Sequence, residues 1–214
     1  ALIARMAQGR RCGHAAAAAR EPIAARFYDA CFDVPKDLHA VLRNRRLAAL
    51  AGAYVAAPGV DYGIAVASAP TIPEPAAVLL TATSRDDKLW PEQRWIALGR
   101  ALHQRGLGCL LPAGSAPERE RAARIAQAIP GAAVLPPMRL AELAAQLAAA
   151  RIVIGVDTGL VHLAAALGRP VLALFSASDP ALTGVLAATP AINLGSRGQP
   201  PGVGDVLAAA MPLL

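Results

Sequence analysis

The chain has 214 residues, 55% of them apolar, enough for one complete domain with a sizeable core and part of a second. Much of the apolar content is alanine, and the uncharged stretch 47–60 ends in Pro58-Gly59, too short to span a bilayer. The net charge of +6 suits an anionic partner, but 4% aromatics with no RNP-like pattern and no zinc finger argue against nucleic acid.

Residues 1–70 carry nine Lys/Arg against five Asp/Glu, and the remainder twelve against ten, so the basic excess sits in the first third. An anionic lipid or an acidic sugar would meet such a surface, and so would plain solvent on a charged helix face. The chain opens Ala-Leu-Ile-Ala-Arg, which reads as the inside of a helix, and the expectation is a fragment of a longer protein. Helical patterns cover residues 1–8 and 37–51, Arg20-Glu21-Pro22 starts another helix, and residues 62–66 read as a strand. Pro70, Pro73 and Pro75 make 68–75 a stiff linker. The expected organisation is a partial domain over 1–67, the linker, and a complete domain over 76–214.

From residue 76 onward strand and helix alternate without interruption. Strands are expected at 77–83, 108–112, 132–135, 152–156, 171–175 and 191–194. Helices are expected at 91–105, 117–129, 140–150, 159–167, briefly near 181, and at 203–211. This order predicts an α/β, Rossmann-like domain: a parallel sheet covered on both faces. Cys12, Cys31 and Cys109 have neither metal nor disulfide spacing, no secretory leader is legible, and the thiols are expected to be reduced, as in the cytoplasm.

The richest segment is Ile152-Val153-Ile154-Gly155-Val156-Asp157-Thr158-Gly159-Leu160-Val161-His162. An apolar run stops at a polar pair and a glycine, and helix-forming sequence follows. Ligands of open α/β sheets bind outside the carboxyl ends of the strands, where helix N-termini offer free N–H groups to anions. Asp157 and Thr158 fall at that junction, Gly159 leaves the backbone uncovered, and His162 shares a helix face with Thr158. A phosphate would suit the amides, while an aspartate beside it suits sugar hydroxyls, so a nucleotide-sugar satisfies both. An ordinary N-cap followed by a glycine for tight packing explains the same residues.

Other strand ends add weaker signals. Thr83-Ser84-Arg85-Asp86-Asp87-Lys88 gathers hydroxyls and cations suited to a phosphoryl group, or else is a solvated turn of mixed charge. Glu118 could accept ribose hydroxyls, or simply favour the start of its helix. Met138, after Pro136-Pro137, could pack on a base or belong to the core. Neither His162 nor Lys88 is expected to carry the stability of the fold. The chain has no G-x-G-x-x-G after a strand, no P-loop and no nucleophile elbow.

Three segments together, residues 82–91, 156–162 and 179–184, resemble glycosyltransferase family 9, the lipopolysaccharide heptosyltransferases. Arg20-Glu21-Pro22 with Phe27-Tyr28, and His39-Ala40-Val41-Leu42-Arg43, are similar to that family's N-terminal domain. The Asp-Thr-Gly and Arg-Asp-Asp-Lys versions look like type I more than type II. The resemblance implies a GT-B fold, with a complete C-terminal Rossmann-like domain here and the back end of an N-terminal, acceptor-binding one. It implies inverting, metal-independent transfer of L-glycero-D-manno-heptose from ADP-heptose, a substrate and not a cofactor, to Kdo of Kdo-lipid A. By the same resemblance Thr83, Ser84 and Lys88 would contact diphosphate and heptose, Glu118 the ribose and Met138 the adenine. Asp157 would hold heptose hydroxyls, and the Thr158, Gly159 and Leu160 amides with His162 would receive phosphate. Arg20 and Arg43 would face the anionic acceptor, at the cytoplasmic face of the inner membrane of a Gram-negative bacterium. The family's general base would lie before Ala1, so the chain alone is expected to be inactive, and Ala113 replaces a frequent tryptophan. A type II enzyme or an inactive nucleotide-sugar-binding fragment is the alternative.

Overall fold

The computed structural model describes residues 3–6, 8–52, 55, 59–66 and 75–214. Two units divide the chain: the described residues up to Gly59 with Ala181–Thr183, and Val60–Pro180 with Gly184–Leu214.

In the first unit, strands β1 (Cys12–His14) and β2 (Ala30–Phe32) pair in parallel, Gly13 opposite Cys31. At three residues each, they are too short for a period-2 pattern to declare itself. The ring of Tyr28 lies over Gly13, 2.2 Å from where a Cβ would stand, so only glycine fits beneath it. Arg11 grips Asp29 through Nη2 at 2.6 Å and through its backbone N–H at 2.9 Å, holding that carboxyl well below the usual carboxylate range. Pro22–Phe27 form a 3-10 helix, and α1 runs over Ala40–Leu50 inside the expected 37–51.

Two expectations for the first third need correction. Of the helix expected at 1–8, only a 3-10 turn at Ala4–Met6 is present among the described residues, and residues 1, 2 and 7 lie outside them. Residues 62–66 form no strand. The Asp61 carboxylate accepts the Gly63 N–H at 2.8 Å and Gly63 adopts φ +61°, a local turn that breaks the extended run. Of the expected linker 68–75, only Pro75 lies within the described residues.

The second unit carries the alternation. Strands β3 (Ala76–Leu80), β4 (Gly108–Leu111), β5 (Ala132–Val134), β6 (Ile152–Val156), β7 (Val171–Phe175) and β8 (Ala191–Gly195) form one parallel sheet in the order β5-β4-β3-β6-β7-β8. Its helices are α2 (Glu92–His103), α3 (Ala116–Gln127), α4 (Leu140–Ala149), α5 (Gly159–Ala166) and α7 (Val203–Ala210); the single turn α6 (Pro180–Thr183), which precedes β8 in the chain, falls mostly in the first unit. Strand order reverses between β3 and β6, where a doubly wound sheet opens its crevice.

Both faces of the sheet are buried, as a parallel sheet requires. Ala77 and Leu79 of β3 join Trp95, Leu98, Ile125 and Val206 in one core; their neighbours Val78 and Leu80 join Leu147, Val161 and Phe175 in the other. Trp90 and Trp95 meet edge to face at 4.9 Å, and the Trp90 indole donates to the Pro201 carbonyl at 2.9 Å. Burial in the first core pushes the Cys109 thiol up to about 11.

Gly155 sets how closely α5 can sit. A Cβ there would stand 2.6 Å from Val161 Cγ1 and 2.7 Å from Leu80 Cβ. Gly155→Ala is therefore expected to destabilise the protein by about 1–3 kcal/mol, the usual cost of overpacking. Urea denaturation measures this, and an unchanged midpoint would mean that α5 tolerates displacement from β6.

Candidate functional site

At the carboxyl end of the sheet, beside the β3/β6 reversal, lies a cavity of about 450 Å³. Ala82, Thr83 and Ser84 come to it from the end of β3, and Pro112, Ala113 and Gly114 from the end of β4. Glu118 of α3, Met138 after β5, and Leu140 and Leu143 of α4 line the far side. Thr158 and Leu160, at the start of α5, close it. Six residues singled out from the sequence thus meet at one cavity: Thr83, Ser84, Glu118, Met138, Thr158 and Leu160.

The two helix starts that reach this cavity differ. In α3, Ser115 caps the helix: its Oγ accepts the Glu118 N–H, and Glu118 Oε2 accepts the Gly114 and Ser115 N–H groups at 2.8 and 3.1 Å. This is the capping box, so Glu118 serves its helix as well as bordering the cavity. In α5, Thr158 occupies the N-cap position in extended conformation (φ −147°, ψ 158°), yet its side chain makes no capping hydrogen bond. The ordinary N-cap explanation of the Asp-Thr pair therefore fails. The first turn of α5 keeps its positive end open beside the cavity.

Gly159 is exposed, and nothing lies within 4 Å of where its Cβ would stand, so the space beside the first residue of α5 is open. His162 is partly buried one turn further along α5 and is not among the residues lining the cavity.

Asp157 is buried, 8% exposed, and organises the next layer. Its Oδ2 accepts Lys88 Nζ at 2.6 Å and the Ser178 hydroxyl, which comes from the loop after β7. Its backbone carbonyl accepts the Thr83 hydroxyl at 3.3 Å, and its N–H donates to Leu174 of β7 at 3.0 Å. Residues from three strand ends are thereby tied together. Lys88 sits on a 3-10 turn, Asp86–Lys88, and its charge is committed to Asp157. Arg85 pairs instead with Asp87 at the surface, holding that carboxyl below its usual range, so this half of the charged run is the solvated turn.

Arg20 and Arg43 lie in the first unit. Arg20 is exposed and borders a shallow pocket with His14, Glu21 and Tyr28. Arg43 donates from Nη2 to the Ala18 carbonyl at 2.7 Å, while its Nε is buried without a hydrogen-bond partner. Burial, then the Arg43 charge, lowers the His14 imidazole below its ordinary value.

The sequence reading missed Ser176 and Ser178. Their signal was available, because Ser176-Ala177-Ser178-Asp179-Pro180 puts hydroxyls directly after an apolar strand. Among the described residues, no group of three or more His, Cys, Asp or Glu side chains is gathered as metal ligands would be. No helix among them is long and apolar enough to cross a membrane.

A parallel sheet in this order, with an uncapped helix start and a buried carboxylate at its reversal point, defines a Rossmann-like unit. Comparison with known proteins gives the family. The profile of glycosyltransferase family 9 (heptosyltransferase) matches residues 1–204, and the chain belongs to that family. It is 42% identical over 188 residues to lipopolysaccharide heptosyltransferase 1 of Salmonella typhimurium, covering 86% of this chain and 59% of that protein. Its fold is similar to that of E. coli heptosyltransferase WaaC solved with ADP, at TM-score 0.89 and 36% identity, covering 100% of this chain and 68% of that one. The same enzyme solved with ADP-2-deoxy-2-fluoro heptose gives TM-score 0.85 and 35% identity, over 98% of this chain and 67% of the other. These neighbours are GT-B enzymes, and the chain's fold class is theirs. The chain spans about six-tenths of the length of the Salmonella relative.

Proposed function

We propose that this chain is the donor-binding part of a glycosyltransferase that moves L-glycero-D-manno-heptose from ADP-heptose to the Kdo of Kdo-lipid A. The observation that carries this reading is the uncapped start of α5, placed between a cavity on one side and the buried Asp157 carboxylate on the other. Anionic phosphates are the natural partners of such a helix end, and a buried carboxylate is a natural partner of sugar hydroxyls. The similarity to lipopolysaccharide heptosyltransferase 1 supports the choice of donor and acceptor.

In this reading the Thr158, Gly159 and Leu160 amides and His162 receive the diphosphate, Lys88 supplies a positive charge, and Thr83 and Ser84 donate from their hydroxyls. Met138 and the apolar wall beside it take the adenine, Glu118 the ribose, and Asp157 the heptose. The reaction inverts the anomeric carbon: an acceptor hydroxyl attacks it as ADP departs. These cationic and amide groups stabilise the charge growing on the leaving diphosphate without calling on a metal ion. No residue of the chain is proposed as the general base. Residues 1–67 would belong to the acceptor-binding domain, 68–75 to the linker and 76–214 to the donor domain. Arg20 and Arg43 would meet the anionic acceptor at the inner-membrane surface.

Calorimetric titration with ADP-heptose, ADP and UDP tests the donor half. Binding is expected for the two adenine nucleotides, tighter for ADP-heptose, with UDP weaker by about tenfold or more, as expected where buried polar groups go unpaired. Equal affinity for all three would overturn the reading. A transfer assay on the enzyme containing this chain, with Kdo-lipid A and its heptosylated product offered in parallel, then separates type I from type II.

A further inference from the structure

We propose that Ser178 is a positioning residue of the donor site: it holds the Asp157 carboxylate in place while Lys88 changes partner from Asp157 to the ligand's phosphate. The proposal rests on the donor reading above and adds a loop to which that reading assigns no part.

Lys88 and Ser178 both donate to the same oxygen, Asp157 Oδ2. The other oxygen, Oδ1, has no hydrogen bond among the described residues, and it is the one left to meet a sugar hydroxyl. The pair is well shielded, with side-chain exposures of 19% for Lys88 and 9% for Asp157. A phosphate that draws the Lys88 ammonium away would strand a buried carboxylate, and an unpartnered buried charge is strongly disfavoured. The Ser178 hydroxyl removes that obstacle. It keeps Oδ2 partnered whichever way Lys88 turns, and it fixes the rotation of the carboxylate, so that Oδ1 stays available.

The same loop restrains the other half of the exchange. Ser176 donates from Oγ to the Asp87 carbonyl at 3.0 Å, fixing the turn from which Lys88 projects. Two hydroxyls placed two residues apart after β7 thus govern both partners: one holds the backbone under Lys88, the other the carboxylate of Asp157. A purely structural role for Ser178 is the competing explanation, since a serine bonded across two strand ends could merely stiffen the loop.

Ser178→Thr and Ser178→Val separate the two, because these side chains have nearly the same shape and differ by the hydroxyl. Each variant is titrated with ADP-heptose and with ADP, and its Tm is measured. The expected result is that Ser178→Val loses about tenfold in ADP-heptose affinity, the scale of one charge-assisted hydrogen bond. Its affinity for ADP should fall on the same scale, because the ADP diphosphate also draws Lys88 from Asp157 and offers no sugar hydroxyl in exchange; Ser178→Thr should bind both ligands like the parent, and in a Lys88→Met background Ser178→Val should change ADP affinity by less than about twofold. If Ser178→Val binds ADP-heptose as tightly as Ser178→Thr, or weakens ADP to the same extent with and without Lys88, the proposal is wrong while the donor reading stands. A parent protein that binds neither ligand overturns the donor reading and the proposal with it.

Discussion

Lys88→Ala is expected to weaken ADP binding by about tenfold or more, the worth of one charge-assisted contact of about 1.5–3 kcal/mol. It is also expected to lower the melting temperature. From the sequence alone, Lys88 carries no stability. The structure changes that expectation, because its ammonium lies 2.6 Å from the carboxylate of Asp157, which is buried. Removing one member of a buried pair leaves the other with less compensation than it was buried with. Here Ser178 still donates to Oδ2, so the loss falls at about 1–3 kcal/mol, several degrees for a protein of this size. The companion variant Lys88→Met/Asp157→Asn removes both charges and should recover most of the lost stability while ADP binding stays weak. Calorimetry and thermal melts on the two variants decide the matter. If Lys88→Ala keeps the parent's ADP affinity, Lys88 is no more than the counter-ion of Asp157.

The second unit was legible because each of its signals is local. A parallel sheet buried on both faces writes its strands as unbroken apolar runs, and 152–156 and 171–175 were read to the residue. Elsewhere the ends moved by a residue or a few: the strand expected at 77–83 stops at Leu80, because the chain must leave the sheet to deliver Thr83 and Ser84. The rule that ligands sit at carboxyl ends of strands then located six of the cavity residues without any knowledge of strand order.

What stayed hidden depends on pairing between distant segments. Ser178 matters because β7 lies next to β6, and adjacency is a property of the sheet, invisible in the run Ser176-Ala177-Ser178. The capping role of Glu118 was half visible, since an acidic residue in a first turn was noted, but its partner Ser115 three residues earlier completes the motif. In the first unit, β1 and β2 have three residues each, too few to show a period-2 pattern, and their pairing is reinforced by contacts that no periodicity encodes, such as Tyr28 over Gly13.

Gly159→Leu should abolish most ADP binding and leave the fold intact. The contrast with Gly155, four residues earlier, gives this prediction its force. At Gly155 an added methyl would collide with Val161 and Leu80, so that glycine serves the packing of α5 on β6. At Gly159 an added Cβ meets nothing within 4 Å, and the residue is exposed at the first position of the helix. Its φ is not in the left-handed region, so the backbone imposes no need for glycine. Leucine also has the better helix propensity, by up to about 1 kcal/mol in a helix interior and by less at the first turn, so stability should hold or rise slightly. A glycine at such a position leaves room for a ligand to approach the first turn of the helix. A leucine would stand over the amides of that turn, and the loss of two or three phosphate hydrogen bonds should weaken ADP by about a hundredfold or more. Gly159→Ala, with a smaller cover, should fall between leucine and the parent. A Gly159→Leu protein that melts at the parent's temperature and binds ADP as the parent does would show that no phosphate rests on the start of α5.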